Sequence, residues 1–259
     1  MPQELFSEVS HLRTADEVCD QIEVLVLEGV LRVGDKLPGE RELAHQFNVS
    51  RPVLRNALKS LESKGLLETH HGGGTFVADV IGDVFSRTML ELIAKHDKAT
   101  ADYLEYRREV EAIAADLAAR RATQYDKELL GDIMARMTEA HKKDDFHEEA
   151  ALDVEFHQAV CETAHNIILM HTLRSCYRLL STGAFFSRSL VYTFPGARDQ
   201  LLAQHREIYE AIIAGDPPRA SRAAAAHMEF VEKSKRDAEK VRAWKNVSKL
   251  RSTQRLAKT

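Results

Sequence analysis

The sequence predicts a mainly α-helical protein in two parts, a small N-terminal unit of three helices closed by a β-hairpin and then an all-α helical bundle. Three observations predict it. Residues 34–40 (GDKLPGE) and 72–74 (GGG) place turn signals close together near the start. Beyond Asp102 the apolar residues recur at helical spacing with no strand-like alternation. Only six prolines and twelve glycines in 259 residues leave few breakers for long helices. A hydrophobic share of 44% with 29% charged residues is ordinary for a globular chain, and this length accommodates two cores.

Composition also narrows function. The start, MPQELFSEVSHLRTADEV, shows no basic region followed by an apolar stretch, and no run approaches the ~18 apolar residues of a membrane span. A cytoplasmic protein with no membrane partner is expected. Cys19, Cys161 and Cys176 are odd in number and lack CxxC spacing, so they read as core residues. Net charge is −4, and residues 1–78 hold eight Lys and Arg against twelve Asp and Glu. Within that segment, however, residues 49–64 carry Arg51, Arg55, Lys59 and Lys64 against Glu62 alone, which concentrates positive charge on one short helix.

The N-terminal elements follow in order. VCDQIEVLVLEGVL sets Val18, Ile22, Leu25, Val26 and Leu31 near helical spacing, and Gly34, Pro38 and Gly39 then break it. ERELAHQF is a short second helix with Leu43, Ala44 and Phe47 on one face. NVS is a tight connection ending on Ser50 as N-cap, and Pro52 fits the first turn, where a missing N–H costs nothing. The third helix turns Leu54, Leu58 and Leu61 inward, holds Arg51 and Arg55 on another side, and ends at Gly65. Two short helices joined so tightly form a helix-turn-helix, whose second helix offers its N-terminal residues to a DNA major groove. LLETHHGGGTFVA adds strand, glycine turn and strand, with Leu67 and Thr69 before the turn and Thr75 and Val77 after it. The unit is therefore a winged helix-turn-helix.

GDKLPGERELA, VSRPVLR and GGGTFV, in this order and spacing, resemble the GntR family of bacterial transcription regulators. That resemblance implies a homodimer reading a palindromic operator. It assigns DNA contacts to Arg41, Arg51 and Arg55, with Ser50 at the helix start and the His71-Gly72 tip entering the minor groove.

In the second part, DYLEYRREVEAIAADLAARRAT places Tyr103, Tyr106, Val110, Ile113 and Leu117 on one stripe, and five further helical segments follow. Asp216 caps the last of them, with Pro217 at its first position. Antiparallel helices with short loops make a bundle, and bundles build metal sites from side chains on facing helices. In DVEFH, Asp153 and His157 lie one turn apart on the same face, a spacing that fits a chelate as well as an ordinary surface pair. His205 falls within the apolar stripe of Leu201, Leu202, Ile208 and Ile212, and His227 falls among Ala223, Ala224 and Phe230. Either alone fits a hydrogen-bonded core histidine. His141 and His147 read as surface residues beside KKDD. Arg107 borders the apolar stripe of its helix, where a fork onto a ligand carboxylate and a structural ion pair are both open to it.

Residues 85–235 resemble the FCD ligand-binding domain that accompanies this winged helix in the FadR-type branch of the GntR family, on DVEFH, AVCETAHN, HREIYEAIIAGD and AHMEF. The resemblance implies a divalent metal ion held by Asp153, His157, His205 and His227, with Arg107 matching the effector-binding arginine of the first helix. Members responding to pyruvate, lactate or glycolate are the most similar, with DVEFH tilting toward the lactate and glycolate type. Three neutral imidazoles and a carboxylate on such an ion leave about +1 of charge, with two open positions if it is octahedral. Zinc is the first choice, and nickel, manganese and iron also suit these donors. The expected function is a regulator whose operator affinity is set by a small 2-hydroxy or 2-keto carboxylate. The competing readings are a metal-dependent hydrolase and a DNA-binding protein with a purely structural metal.

The expected boundaries are a DNA-binding domain over 1–78, a linker with a short helix over 79–98, an effector-binding domain over 99–240 and a basic tail over 241–259. The residues after Glu239 hold seven Lys and Arg and no acid, and they read as a frayed, solvated end.

Overall fold

The computed structural model describes residues 15–70, 72–79, 87–181 and 196–256. The chain divides into two compact units, Met1–Gly82 and Asp83–Thr259.

The first unit contains α1 (Ala15–Leu27), α2 (Glu40–Gln46), α3 (Arg51–Ser63), β1 (Leu67–His70) and β2 (Gly74–Val77). Its core joins Val18, Ile22, Val26, Leu43, Phe47, Leu54, Leu61, Leu67 and Val77. Leu43, Phe47, Leu54 and Leu61 are fully buried, which confirms the inward faces of α2 and α3. On α3 the middle of that face is Ala57, fully buried, while Leu58 lies at its edge. The smaller side chain lets α1 approach α3 closely enough for the Cys19 thiol to lie 3.5 Å from the Ala57 carbonyl. Gly65 ends α3 with φ +74°, the left-handed conformation that releases the chain into β1.

The hairpin is antiparallel, pairing Leu67 with Val77, Glu68 with Phe76, Thr69 with Thr75 and His70 with Gly74. Its outer edge is covered by the segment following α1. Gly34 N–H donates to the Val77 carbonyl at 2.9 Å, Val77 N–H to Asp35 O at 3.0 Å, and Leu37 N–H to Thr75 O at 2.9 Å. Gly74 has φ +108°, and a Cβ there would come within 2.8 Å of Lys36 Cε. Glycine is favoured at that point by conformation, while the Lys36 side-chain end could swing aside.

The second unit contains α4 (Arg87–Lys95), α5 (Asp97–Arg121), α6 (Gln124–Lys142), α7 (Phe146–Thr163), α8 (Ile167–Ser181), α9 (Ala197–Ile213) and α10 (Pro217–Leu256). Side chains start several of them. Thr123 and Asp126 form a reciprocal capping box on α6, Asp145 accepts from the His147 and Glu148 N–H groups on α7, and Asp216 Oδ1 accepts from Arg219 N–H at 3.1 Å on α10. The short helix predicted in the linker is α4, but α5 already begins at Asp97, and residues 80–86 lie outside the described residues. The C-terminal segment also differs from expectation. α10 continues through the basic stretch as one 40-residue helix, because residues 240–256 contain no glycine or proline to stop it.

The stripe expected on α5 is displaced. Tyr106 and Ile113 are 42% and 54% exposed, and the buried face instead runs through Thr100, Tyr103, Leu104, Arg107, Glu111, Ala114, Ala115, Ala118 and Ala119. Apolar periodicity misled because the true inner face carries alanines and a charged pair. α10 is the main neighbour of α5, and its own buried Ala220 and Ala224 share a core with Ala115, Ala118 and Ala119. Small side chains on both helices let the backbones approach closely. A leucine at fully buried Ala118 should overpack this seam, and urea unfolding of Ala118→Leu should show a loss of about 1–3 kcal/mol.

Candidate metal centre

Three helices bring four donors to one buried point. α7 contributes Asp153 and His157, α9 contributes His205 and α10 contributes His227, with relative exposures of 8%, 5%, 2% and 2%. One donor atom from each lies within 4.8 Å of the others. Asp153 and His157 are therefore on the inner face of α7, along with Leu152, Phe156 and Val160, and not on its solvated side.

Two of the imidazoles, His157 and His227, are turned by a second contact. The two oxygens of Glu111 divide between neighbours: Oε2 lies 2.9 Å from His157 Nδ1, and Oε1 accepts from Arg107 Nε at 2.7 Å and Nη2 at 2.5 Å. His227 Nδ1 lies 3.1 Å from Gln204 Oε1, so its Nε2 is the atom left for the cluster. His205 Nε2 lies 3.3 Å from both His157 Nε2 and Asp153 Oδ1. Adjacent donors on an ion bonded at about 2.0–2.2 Å are separated by about 3.0–3.5 Å, and this contact matches that spacing. Phe156 packs edge-on against the His205 ring at 5.1 Å and closes one side.

Electrostatics favour the forms that bind a cation. Burial pushes His227 well below the usual imidazole range, and its neighbours His205 and His157 push it further, so it is neutral and offers a lone pair. Burial opposes ionisation of Glu111, but Arg107 and then His157 outweigh it and hold the carboxyl at about 2. For Arg107 burial is likewise outweighed by Glu111, which keeps the guanidinium charged. The donor set fits a divalent ion: three imidazoles and a carboxylate converge, and two of the imidazoles are oriented by oxygen acceptors, as metal-bound histidines are.

A cleft of about 300 Å³, counting its open mouth, reaches Asp153 and His205 past Met137, His141, Glu149, Arg198, Leu201 and Leu202. Arg198 bridges its rim, with Nη1 2.6 Å from Asp144 Oδ1 and Nη2 2.5 Å from Glu149 Oε1. His141 is not the free surface residue expected from KKDD. It is partly buried, with Nε2 2.9 Å from Asp199 Oδ1.

In the first unit Arg41, Ser50, Arg51 and Arg55 are all exposed. Glu40 Oε2 gathers two of them, lying 2.8 Å from Arg55 Nε and 3.6 Å from Arg51 Nη2. Ser50 precedes α3 in extended conformation but makes no side-chain cap. Gly72 turns with φ +75°, and His71 lies outside the described residues.

Residues 14–77 match the description "Bacterial regulatory proteins, gntR family", and residues 102–230 match "FCD domain". The chain belongs to the GntR family. It is 39% identical over 224 residues to an Escherichia coli protein that carries the name of an L-lactate dehydrogenase operon regulator, covering 85% of each chain. It is 34% identical to the Glc operon transcriptional activator of the same species, covering 86% of this chain and 89% of that one. A solved Streptococcus agalactiae GntR structure superposes with TM-score 0.55 at 29% identity, over 85% of this chain and 99% of that one. This GntR-family chain is a DNA-binding transcriptional regulator and not an enzyme, which removes the hydrolase reading. FCD domains bind metal, and the cluster is a group that could hold one.

Sequence reasoning did not find Glu111, Gln204, Tyr177 or Arg198. The i,i+4 spacing of Arg107 and Glu111 was the one available signal for the first, and the other three offered none. If the four donors hold zinc, His205→Ala should lower bound zinc as measured by elemental analysis, and retention at the wild-type level would remove His205 from the set. Zinc at a hundred times its dissociation constant should also stabilise the wild-type protein by about 2.7 kcal/mol against a chelated sample.

Proposed function

We propose that this chain is a homodimeric regulator that binds a palindromic operator through its winged helix and changes that affinity when a 2-hydroxy or 2-keto carboxylate enters the metal centre. The observation that carries it is the pairing, inside one buried cluster, of a four-donor cation site with a guanidinium that reaches it through a single carboxylate. The donors Asp153, His157, His205 and His227 would hold a divalent ion, with zinc first and nickel, manganese or iron also suited. Such an ion, when octahedral, supplies Lewis-acid positions for the carboxylate and adjacent oxygen of the acid. Arg107 supplies a planar donor fork for the same carboxylate. Tyr103 and Tyr177, whose rings lie 5.9 and 5.1 Å from its guanidinium carbon, fix the plane of that fork. The name of the Escherichia coli relative, which refers to L-lactate dehydrogenase, supports a 2-hydroxy acid as the effector class.

On the DNA side, Arg51 and Arg55 stand at the start of α3, where side chains reach base edges, and Arg41 stands beside them on α2. Ser50 and the His71-Gly72 tip complete the contact set. A cytoplasmic location suits this role, and no helix among the described residues is long and apolar enough to cross a membrane. Control of the operator needs the acid to favour one arrangement of the paired winged helices by about 1–3 kcal/mol.

Footprinting on the DNA upstream of the protein's own gene tests the reading. L-Lactate or a related acid should change the protected region, and prior chelation should abolish that change. Protection that no acid alters would leave only a structural role for the metal. Arg51→Ala should weaken specific binding by about 1–3 kcal/mol while zinc content stays at the wild-type level. Loss of both in that variant would contradict the division of labour between the units.

A further inference from the structure

We propose that Glu111 is a positioning residue shared by the two halves of the sensor, setting the orientation of Arg107 for the acid and of His157 for the ion. The inference rests on the functional reading above and goes beyond it by assigning a role to a residue outside both contact sets.

The geometry of the carboxylate carries it. A structural ion pair for Arg107 needs one partner, yet Glu111 has two, one on each oxygen. Oε1 takes Nε and Nη2 of Arg107 at 2.7 and 2.5 Å, and Oε2 takes Nδ1 of His157 at 2.9 Å. The side chains of all three residues are only 5–6% exposed, so water is poorly placed to substitute for either contact. Each contact has a directional consequence. With Nδ1–H donated to Glu111, His157 carries its lone pair on Nε2, the atom 3.3 Å from His205 Nε2 in the donor cluster. With its Nε and Nη2 side edge on Glu111, Arg107 has its end edge, Nη1 with Nη2, as the one a second carboxylate can meet in a fork. One rigid carboxylate therefore fixes the tautomer of a metal ligand and the presented edge of an anion binder. Helical spacing makes this available, since Arg107 and Glu111 stand one turn apart on the buried face of α5, from which Glu111 reaches His157 on α7.

The test uses the full-length protein, with Zn²⁺ and L-lactate as probes. Zinc affinity is measured by chelator competition, and lactate affinity is measured by calorimetry on zinc-saturated protein. Glu111→Gln keeps the size of the side chain but removes the charge and one acceptor. It should weaken zinc by about 10–100-fold and lactate, even at saturating zinc, by about 10-fold or more. A purely structural role would lower thermal stability while leaving lactate affinity of the zinc-loaded protein unchanged. Either affinity at the wild-type value overturns the shared role. If Glu111→Gln does not fold, Glu111→Asp, which keeps the charge but is one methylene too short to span both partners, should weaken both probes and is judged by the same criterion. A wild-type protein that takes up zinc but no 2-hydroxy acid overturns the functional reading, and this inference with it. The two failures are distinguished because one is seen in the wild type and the other only in the variant.

Discussion

Removing three imidazoles, two carboxylates and a guanidinium from water inside a helical bundle is the constraint on which the second unit depends. Asp153, His157, His205, His227, Glu111 and Arg107 are each no more than 8% exposed. The effective penalty for an unpaired ion in such surroundings is several kcal/mol, so the surrounding helices must deliver partners to fixed positions. α5 supplies the Arg107–Glu111 pair, α9 supplies Gln204 for His227, and α7, α9 and α10 bring the four donors to a common point. The alanine seam between α5 and α10 serves the same end. It lets α5 and α10, which carry Glu111 and His227, pack against each other in one core with aliphatic residues of α6 and α7.

The same chemical pairing has opposite uses in the two units. Glu40 holds Arg51 and Arg55 on a surface where those arginine side chains are 58% and 56% exposed. Pairs of that kind contribute about 0–1 kcal/mol and exchange readily for another anion such as a phosphate. Glu111 and Arg107 form their pair at 5% exposure. Breaking it would leave a charge without either water or a partner, which typically costs about 3–5 kcal/mol. Exposure alone thus separates an arginine that is free to change partners from one that is held in a single orientation.

Much of this was legible in the sequence, and the exceptions have a common cause. The winged unit was readable because turn residues, caps and a three-glycine tip are local signals, and because its three helices bury mostly aliphatic side chains. DVEFH, His205 and His227 were picked out together through the resemblance to the FCD domain, since the spacing of Asp153 and His157 equally suits a surface pair and a histidine on an apolar stripe equally suits a hydrogen-bonded core. The inner face of α5 was not readable, since it carries Arg107 and Glu111 among alanines, while the larger apolar residues Tyr106 and Ile113 point outward. Hydrophobic periodicity locates a buried face only where burial is achieved by hydrophobic groups. His141 was misplaced for a related reason, because its neighbours in the chain are charged while its contact, Asp199, comes from a distant helix. The continuity of α10 was hidden by composition, since a basic stretch without helix breakers looks the same whether it is ordered or not.

That long helix links the buried site to solvent. At 40 residues α10 is about 60 Å long, with His227 of the buried cluster in its first third and the chain's one tryptophan, Trp244, roughly 25 Å further along its axis. Trp244 is 68% exposed, with Val247 and Leu250 close by at 45% and 70%. The protein therefore carries a native, exposed fluorophore on the outer stretch of a rod rooted in the buried His/Asp cluster. Its emission senses what covers that stretch of the rod, and it lies too far from the cluster to report ion binding by contact.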